Sequence, residues 1–530
     1  MEIRDGDIPP LRYWINPMSG HHSFEKLRAR MTPERRAYNA AKTKELLTEI
    51  SLTHNTRKET VMADKPVLLT DEQMQQFIRD GYLILHPDFP EGFHEKVYKR
   101  IDESFEKNSG RNPGNNLLPA VPELQDVWDH PIVHGAFSSI LGPDYYLHLH
   151  RHVHESRPGS DARTMHKDSL HNSRFCADQN RRHHHCRWMM AMYYPQDTPR
   201  EMGPTSVTPR SQYITARDQE GEHLFTSGPA GTVALIHYDI LHKKEANYTE
   251  ITRHMVKFLF TRMTEPTEPT WDHRDETWIA SDDPQEPIWQ AMWDWHLGKA
   301  PEHASNGTSI QTLSEQLSNP SEAAALHASY TLGLQGEKAI PAMIDALKDT
   351  EDEAPPRNAG YGFTNVGEVA VPALIELTKN PDPKIRMRAV DVLGDLGLRA
   401  RSATPDLIAL LQDTDEDTRA HAAESLGTIS QNTTEAVRPL ANILSTDESD
   451  FVRRNAALSL ARLGIHAEEA IPELADAMRD GNHYVRGFAV HGLYRIGTPE
   501  ALRAAMHRLQ ALRWDSEPRG QTQRRPKKVA

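Results

Sequence analysis

Three residues in the first half of this chain have the types and spacing to hold a metal ion. His166 and Asp168, in TMHKDSL, are separated by one residue, so on an extended strand both side chains leave the same face. A third ligand has to come from another segment. His242, 74 residues after Asp168, closes the apolar run GTVALIHYDILH, which reads as one long strand. Two imidazoles and one carboxylate on one side of an octahedron leave three positions free, an arrangement that suits non-haem Fe(II) rather than a closed structural site. Arg253 follows His242 by 11 residues, at the start of the apolar run HMVKF. A guanidinium there can clamp a carboxylate through paired hydrogen bonds. Arg262, Lys257 and Arg163 are next in line for the same duty.

Other histidines compete for attention. His148, His150, His152 and His154 alternate along one predicted strand, where they form either a pocket lining or a polar strand face. Cys176 and the run His183-His184-His185-Cys186 invite a zinc reading. Adjacent histidines on an extended chain point to opposite sides, and no second Cys/His pair has finger spacing, so structural zinc is not expected.

These residues need a scaffold. PVLLTDEQMQQFIRDGYLIL predicts a helix opened by a capping box of Thr70 and Gln73, running into a strand after Gly81. From about 145 to 263 short β-type runs predominate (YYLHLHRHVH, CRWMMAMYYP, GTVALIHYDILH, HMVKFLFTRM), separated by turn residues. That pattern predicts an all-β sandwich or barrel. A Pro- and Trp-rich stretch follows, with Trp271, Trp278, Trp289, Trp293 and Trp295 expected to pack a connecting helix.

Taken in order, these segments resemble the phytanoyl-CoA dioxygenase family over about 68–263. The matching pieces are TDEQMQQFIRDGYLIL, HPIVHGAFSSILGPDY, MHKD, MGPTSVTPRSQY and LHKKEAN…TRHMVKF. The resemblance implies a double-stranded β-helix (jelly-roll, cupin-like) oxygenase core with flanking helices. It further implies Fe(II) on His166, Asp168 and His242, 2-oxoglutarate as co-substrate anchored by Arg253, O₂ as oxidant, and a small-molecule substrate. Two departures stand out: the family's PGSH turn is PRSQ here, with Arg210 and Gln212, and Lys244 takes the place of a small or hydroxyl residue. Because Asp168 is a carboxylate rather than Gly or Ala, a halide finds no vacant ligand position. Hydroxylation or a related oxidation is favoured over halogenation.

The second half is repetitive. An apolar-Pro-x-x-apolar unit recurs at Pro341, Pro372, Pro405, Pro439 and Pro472, in steps of 31, 33, 34 and 33 residues. Arg386, Arg419, Arg453 and Arg486 keep the same phase, as do Leu393, Leu426, Leu460 and Leu493. Each unit predicts two helices, with proline in the first turn of the first and an Ala-rich face on the second. Gly427, Gly464 and Gly497 suit helix C-termini. Asp382, Asp415 and Asp450, three or four residues before the arginines, suit caps or partners within the repeat. The pattern resembles HEAT-like repeats, an all-α solenoid whose contacts run between neighbouring repeats and whose surface can hold a protein partner.

The bulk numbers set outer bounds. With 530 residues the chain exceeds one core, and its divisions are expected at 1–67 (extension), 68–263 (oxygenase-like), 264–319 (connector), 320–512 (repeats) and 513–530 (basic tail). A net charge of −14 speaks against nucleic acid as a partner, and no apolar run is long enough for a membrane. Two cysteines and an acidic N-terminus without an apolar core suit a reducing, cytoplasmic setting. The leading reading is an Fe(II)/2-oxoglutarate-dependent dioxygenase of a small molecule, with the repeats for interaction or oligomerisation. Two others stand beside it: a repeat scaffold with a vestigial oxygenase domain, and a hydroxylase of a protein bound by the repeats.

Overall fold

A computed structural model describes residues 65–168, 184–215, 221–304 and 307–511. Cys176 and His183 of the weighed zinc reading lie outside these residues, as do the extension up to residue 64 and the basic tail. The first helix, Asp71–Asp80, opens on the expected capping box and ends on Gly81 at φ 78°, from which the chain turns into the first strand.

Eight strands follow among the described residues: Tyr82–Leu85 (β1), Tyr146–Ser156 (β2), Trp188–Tyr193 (β3), Thr205–Thr208 (β4), Leu224–Phe225 (β5), Val233–His237 (β6), Leu241–Lys244 (β7) and Arg253–Thr261 (β8). They form a five-stranded sheet in the order β1-β6-β3-β8-β2 and a three-stranded sheet in the order β5-β4-β7, antiparallel throughout. This is the jelly-roll, cupin-like core that the sequence suggested. Side chains alternate across the larger sheet as its pleat requires. Met190, Met192, Ala234, Ile236, Met255 and Leu259 share the inner core, while Met189, Ala191, Val233, Leu235, Val256 and Phe258 face an outer one. The outer core is covered by Phe93–Lys107, Glu123–Asp129, Pro131–Leu141 and the Trp-bearing helix Glu286–His296.

One strand was misread from sequence. GTVALIHYDILH is not continuous: β6 ends at His237, Tyr238–Ile240 turn, and β7 begins at Leu241 in the other sheet. The backbone N–H of Ile240 bonds back to the His237 carbonyl at 3.1 Å. An unbroken apolar run cannot reveal such a turn, because both strands it serves are buried.

The repeats pair short first helices (Ile340–Leu347, Val371–Leu377, Thr404–Leu410, Val437–Thr446, Ile471–Ala477) with longer second ones (Ala354–Val366, Pro383–Leu396, Glu416–Ile429, Asp450–Leu463, His483–Ile496). Proline opens four of the first helices, while Pro439 sits one position further in. Gly464 and Gly497 end helices as expected, but Gly427 lies inside one. A Cβ there would overlap the hydroxyl of Ser459, and one at Gly394 that of Ser425, so small residues let successive second helices meet backbone to backbone.

The arginine ladder works between repeats rather than only within them. Arg386 reaches Asp413 at 2.7 Å, Arg419 reaches Asp447 at 2.8 Å and Arg453 reaches Asp480 at 2.7 Å, each aspartate lying one repeat further on. Each arginine also donates to two carbonyls of its own repeat, as Arg419 does to Asp413 and Thr414. Asp382 and Asp415 cap helices, but Ser449 rather than Asp450 caps the next.

Solenoid and barrel share one apolar core, which runs without a break from Met190 and Leu259 into the second helices. Tyr146 stacks on His491 at 4.1 Å, and His148 on Tyr484 at 5.2 Å. Arg187, buried on β3's approach, is clamped by both oxygens of Glu265 at 2.7 and 2.8 Å and reaches Asp395 of the solenoid at 3.1 Å. Gln431 donates to the Met263 carbonyl at 3.0 Å and accepts from the Glu265 N–H at 2.9 Å. Among the described residues no helix is long and apolar enough to cross a membrane.

Two outcomes follow for this seam. A Cβ on Gly487 would overlap Leu149, so Gly487→Val should destabilise the protein by about 1–3 kcal/mol through overpacking, read as a lower urea midpoint. Acid should loosen the same region. Burial holds His148 well below the usual histidine range, and burial followed by Arg495 pushes His491 down to about 3. Below about pH 6.5 the unfolded chain takes up protons that the folded seam excludes, so stability falls as pH drops toward the folded values. Urea midpoints at successive pH values between neutrality and pH 5 should decline, and a flat profile would contradict this.

Candidate functional site

His166 and His242 lie on different segments but pair as an isolated antiparallel bridge, with reciprocal backbone bonds of 2.9 and 3.0 Å. The pairing extends the smaller sheet by a single rung. His166-x-Asp168 is therefore one bridge residue and a following turn, not the regular strand expected from sequence. Lys167, between the two, is buried on the opposite side, where its ammonium donates to the carbonyls of Ser211 and Ile214. That tie anchors the H-x-D segment to the turn after β4.

Both imidazoles are oriented the same way. Nδ1 of His166 donates to the Thr164 carbonyl and Nδ1 of His242 to the Ile240 carbonyl, each at 3.0 Å. A carbonyl can only accept, so these bonds place the protons on Nδ1 and leave the Nε2 lone pairs for a ligand. Both Nε2 atoms lie 3.8 Å from Oδ1 of Asp168. Among the described residues this is the one cluster of three metal-ligating groups, with ligand atoms within 4.8 Å of one another. Burial lowers the His242 pKa to about 4, against the pull of Asp168, so the ring is neutral at physiological pH. Burial would raise Asp168, but Lys257 and the two imidazoles outweigh it and hold the carboxyl well below the usual range.

His166 and His242 line a cavity of about 350 Å³ that also takes in Met192, Thr205, Lys244, Arg253, Met255 and Lys257. Arg253 is fully buried at the start of β8. Its Nη1 makes one long bond of 3.4 Å to the His154 carbonyl, while Nε and Nη2 have no partner. Burial lowers its pKa, which states the cost of an unmatched charge there. Lys244 stands beside it, donating to Ser160 at 3.1 Å and Ser156 at 3.4 Å, with its own pKa lowered by burial and by the neighbouring Arg253. The residue that departs from the family pattern thus adds a second cation to the arginine.

The other candidates separate cleanly. Arg262 turns away, donating to the carbonyls of Ile140 and Thr264. Arg163 lines the cavity from an exposed position. Of the alternating histidines, His154 borders the cavity, His148 packs against the solenoid, and His150 meets the Tyr484 hydroxyl at 3.2 Å. His184 stacks on Tyr361 at 3.6 Å and bonds the Tyr330 hydroxyl at 2.7 Å, and Cys186 is a buried free thiol.

The PRSQ turn keeps its shape. Arg210 adopts φ 68°, a conformation glycine takes freely, and its side chain is held by Asp283 at 3.0 Å and Asp80 at 3.4 Å. Gln212 is buried and donates to the carbonyls of Ile78 and Arg79 at the end of the first helix. Lys257 is the site residue whose role the sequence did not reveal. Its one signal is a second cation four residues after Arg253 on an otherwise apolar strand, hence on the same face.

Residues 62–255 match the phytanoyl-CoA dioxygenase family model, a span that includes His166, Asp168, His242 and Arg253. Residues 371–461 and 437–516 match HEAT repeats. The chain therefore joins a phytanoyl-CoA dioxygenase family domain to HEAT repeats. Among solved structures it is similar to a non-heme alpha ketoglutarate dependent carbocyclase of nogalamycin biosynthesis (17% identity, 38% of this chain and 88% of that one, TM-score 0.31). It is also similar to EctD from S. alaskensis, solved with 2-oxoglutarate and 5-hydroxyectoine (15% identity, 39% and 82%, TM-score 0.33). A third is an alpha ketoglutarate dependent epimerase of nogalamycin biosynthesis (14% identity, 36% and 83%, TM-score 0.30). No curated protein matches the sequence.

Proposed function

We propose that residues 68–263 form an Fe(II)- and 2-oxoglutarate-dependent dioxygenase that hydroxylates or otherwise oxidises a small organic substrate. The observation that carries this reading is one cavity lined by His166 and His242, whose ligand atoms lie within 4.8 Å of each other and of Asp168's, and by a buried arginine with unpartnered N–H groups. His166 and His242 would hold iron through Nε2 and Asp168 through Oδ1. Arg253 would receive the carboxylate of 2-oxoglutarate farthest from the metal, with Lys244 beside it. When bound, iron with its co-substrate and O₂ supplies the oxidation.

The chain's own part is positional. The Nδ1–H bonds to Thr164 and Ile240 fix the tautomer of both imidazoles and keep them aimed. Met192 and Met255 supply an apolar part of the cavity's lining. A dicarboxylate arriving at Arg253 offsets the cost of burying that cation. With Asp168 supplying the carboxylate, oxidation rather than halogenation is the outcome we assign. We take the repeats as an interaction module, part of whose surface is occupied by the barrel seam.

Anaerobic titration should show one Fe(II) or Co(II) per chain, and Asp168→Ala, His166→Ala and His242→Ala should each abolish succinate formation while leaving the far-ultraviolet spectrum unchanged. Full turnover by Asp168→Ala would remove the ligand assignment. Arg253→Ala should weaken 2-oxoglutarate binding by about 30- to 1000-fold, the equivalent of roughly 2–4 kcal/mol for a charge-assisted contact, with metal binding nearly intact. Arg253→Lys should weaken it only severalfold. Parent-like affinity in Arg253→Ala would place the anchor elsewhere.

A further inference from the structure

The two oxygens of Asp168 have different neighbours. Oδ1 faces both imidazole Nε2 atoms at 3.8 Å, whereas Oδ2 accepts a bond of 2.7 Å from the ammonium of Lys257. Lys257 lies on β8, four residues after Arg253 and opposite His152 in the register with β2. Its side chain is only 8% exposed and borders the same cavity as His166 and His242. Asp168 is its one hydrogen-bonded partner among the described residues.

We infer that Lys257 is a positioning residue that confines Asp168 to one-oxygen ligation and so keeps three metal positions open for co-substrate and O₂. The inference rests on the triad reading above. A carboxylate with both oxygens free can turn and chelate an ion through the pair of them, taking a fourth position. Here the second oxygen is engaged by a buried cation, and exchanging that bond for a metal bond would cost the ammonium its one hydrogen-bonded partner among the described residues. The same strand then serves the co-substrate twice. Arg253 meets its far carboxylate, and Lys257 preserves the pair of positions that its near end must occupy.

The test uses the full chain, with Co(II) or Fe(II) under anaerobic conditions and 2-oxoglutarate as probes. Lys257→Met should bind metal as tightly as the parent or more tightly, because a competing cation is gone and a second oxygen is released. Its 2-oxoglutarate affinity should fall by at least about tenfold, and the visible charge-transfer band of the Fe(II)·2-oxoglutarate chelate should fade with it. Lys257→Arg, which keeps a cationic donor, should retain the band. A merely structural lysine would give the opposite split, with metal affinity and melting temperature falling together and the chelate intact at saturating metal. That result, or a Lys257→Met protein with parent-like co-substrate affinity, overturns the inference while leaving the triad in place. A parent that binds no metal overturns the triad reading, and this inference with it. If Lys257→Met does not fold, Lys257→Ala, which also removes the donor, carries the comparison: a faded band with metal still bound supports the bond to Oδ2, and a parent-like band overturns it.

Discussion

A single rung of backbone pairing, His166 with His242, is the constraint on which the site depends. It joins two segments far apart in sequence, sets both imidazoles on one side of Asp168, and closes the small sheet over the cavity. Everything around it holds that rung in place. Lys167 ties the first segment to the turn after β4, Ser211 of that turn accepts the N–H of Leu241 at 2.8 Å, and the break at Tyr238–Ile240 delivers the second segment to the right sheet. The two imidazoles are held by main-chain bonds, through their own backbone and through Nδ1, rather than by side-chain packing alone.

Charge is the second organising element. The cavity is lined by Arg253, Lys244 and Lys257, of which Lys257 is bonded to Asp168. Lys257 is matched internally, but Arg253 is not, and a buried unmatched guanidinium is stable only if the fold around it is strong or a partner anion arrives. Part of that strength comes from the solenoid. The barrel's inner core is completed by helices of the repeats, and the Arg187–Glu265–Asp395 cluster and Gln431 fasten the two along one seam. The repeats therefore act on the oxygenase fold mechanically, whatever else binds to them.

Sequence by itself determined the candidate ligands, the candidate anchor and the repeat period, because each is a local or periodic signal. An H-x-D segment, a distant histidine and an arginine 11 residues beyond it survive as a pattern in one dimension, and so does a step of about 33 residues. The capping box at Thr70 and the prolines of the first helices were equally legible, since caps and first turns are set by neighbours in the chain.

Tertiary structure alone decided what depends on residues distant in sequence. That GTVALIHYDILH breaks and changes sheets is invisible in a run whose residues are all buried on either side of the turn. That the ladder arginines pair with the next repeat, that Arg210 can stand in for a glycine, and that Lys244 comes to lie beside Arg253 all depend on which groups the fold makes adjacent. So does the partnership of Lys257 with Asp168, 89 residues apart. Sequence names the charged groups, but only the folded chain, by removing them from water, decides which are paired and which are left unmatched.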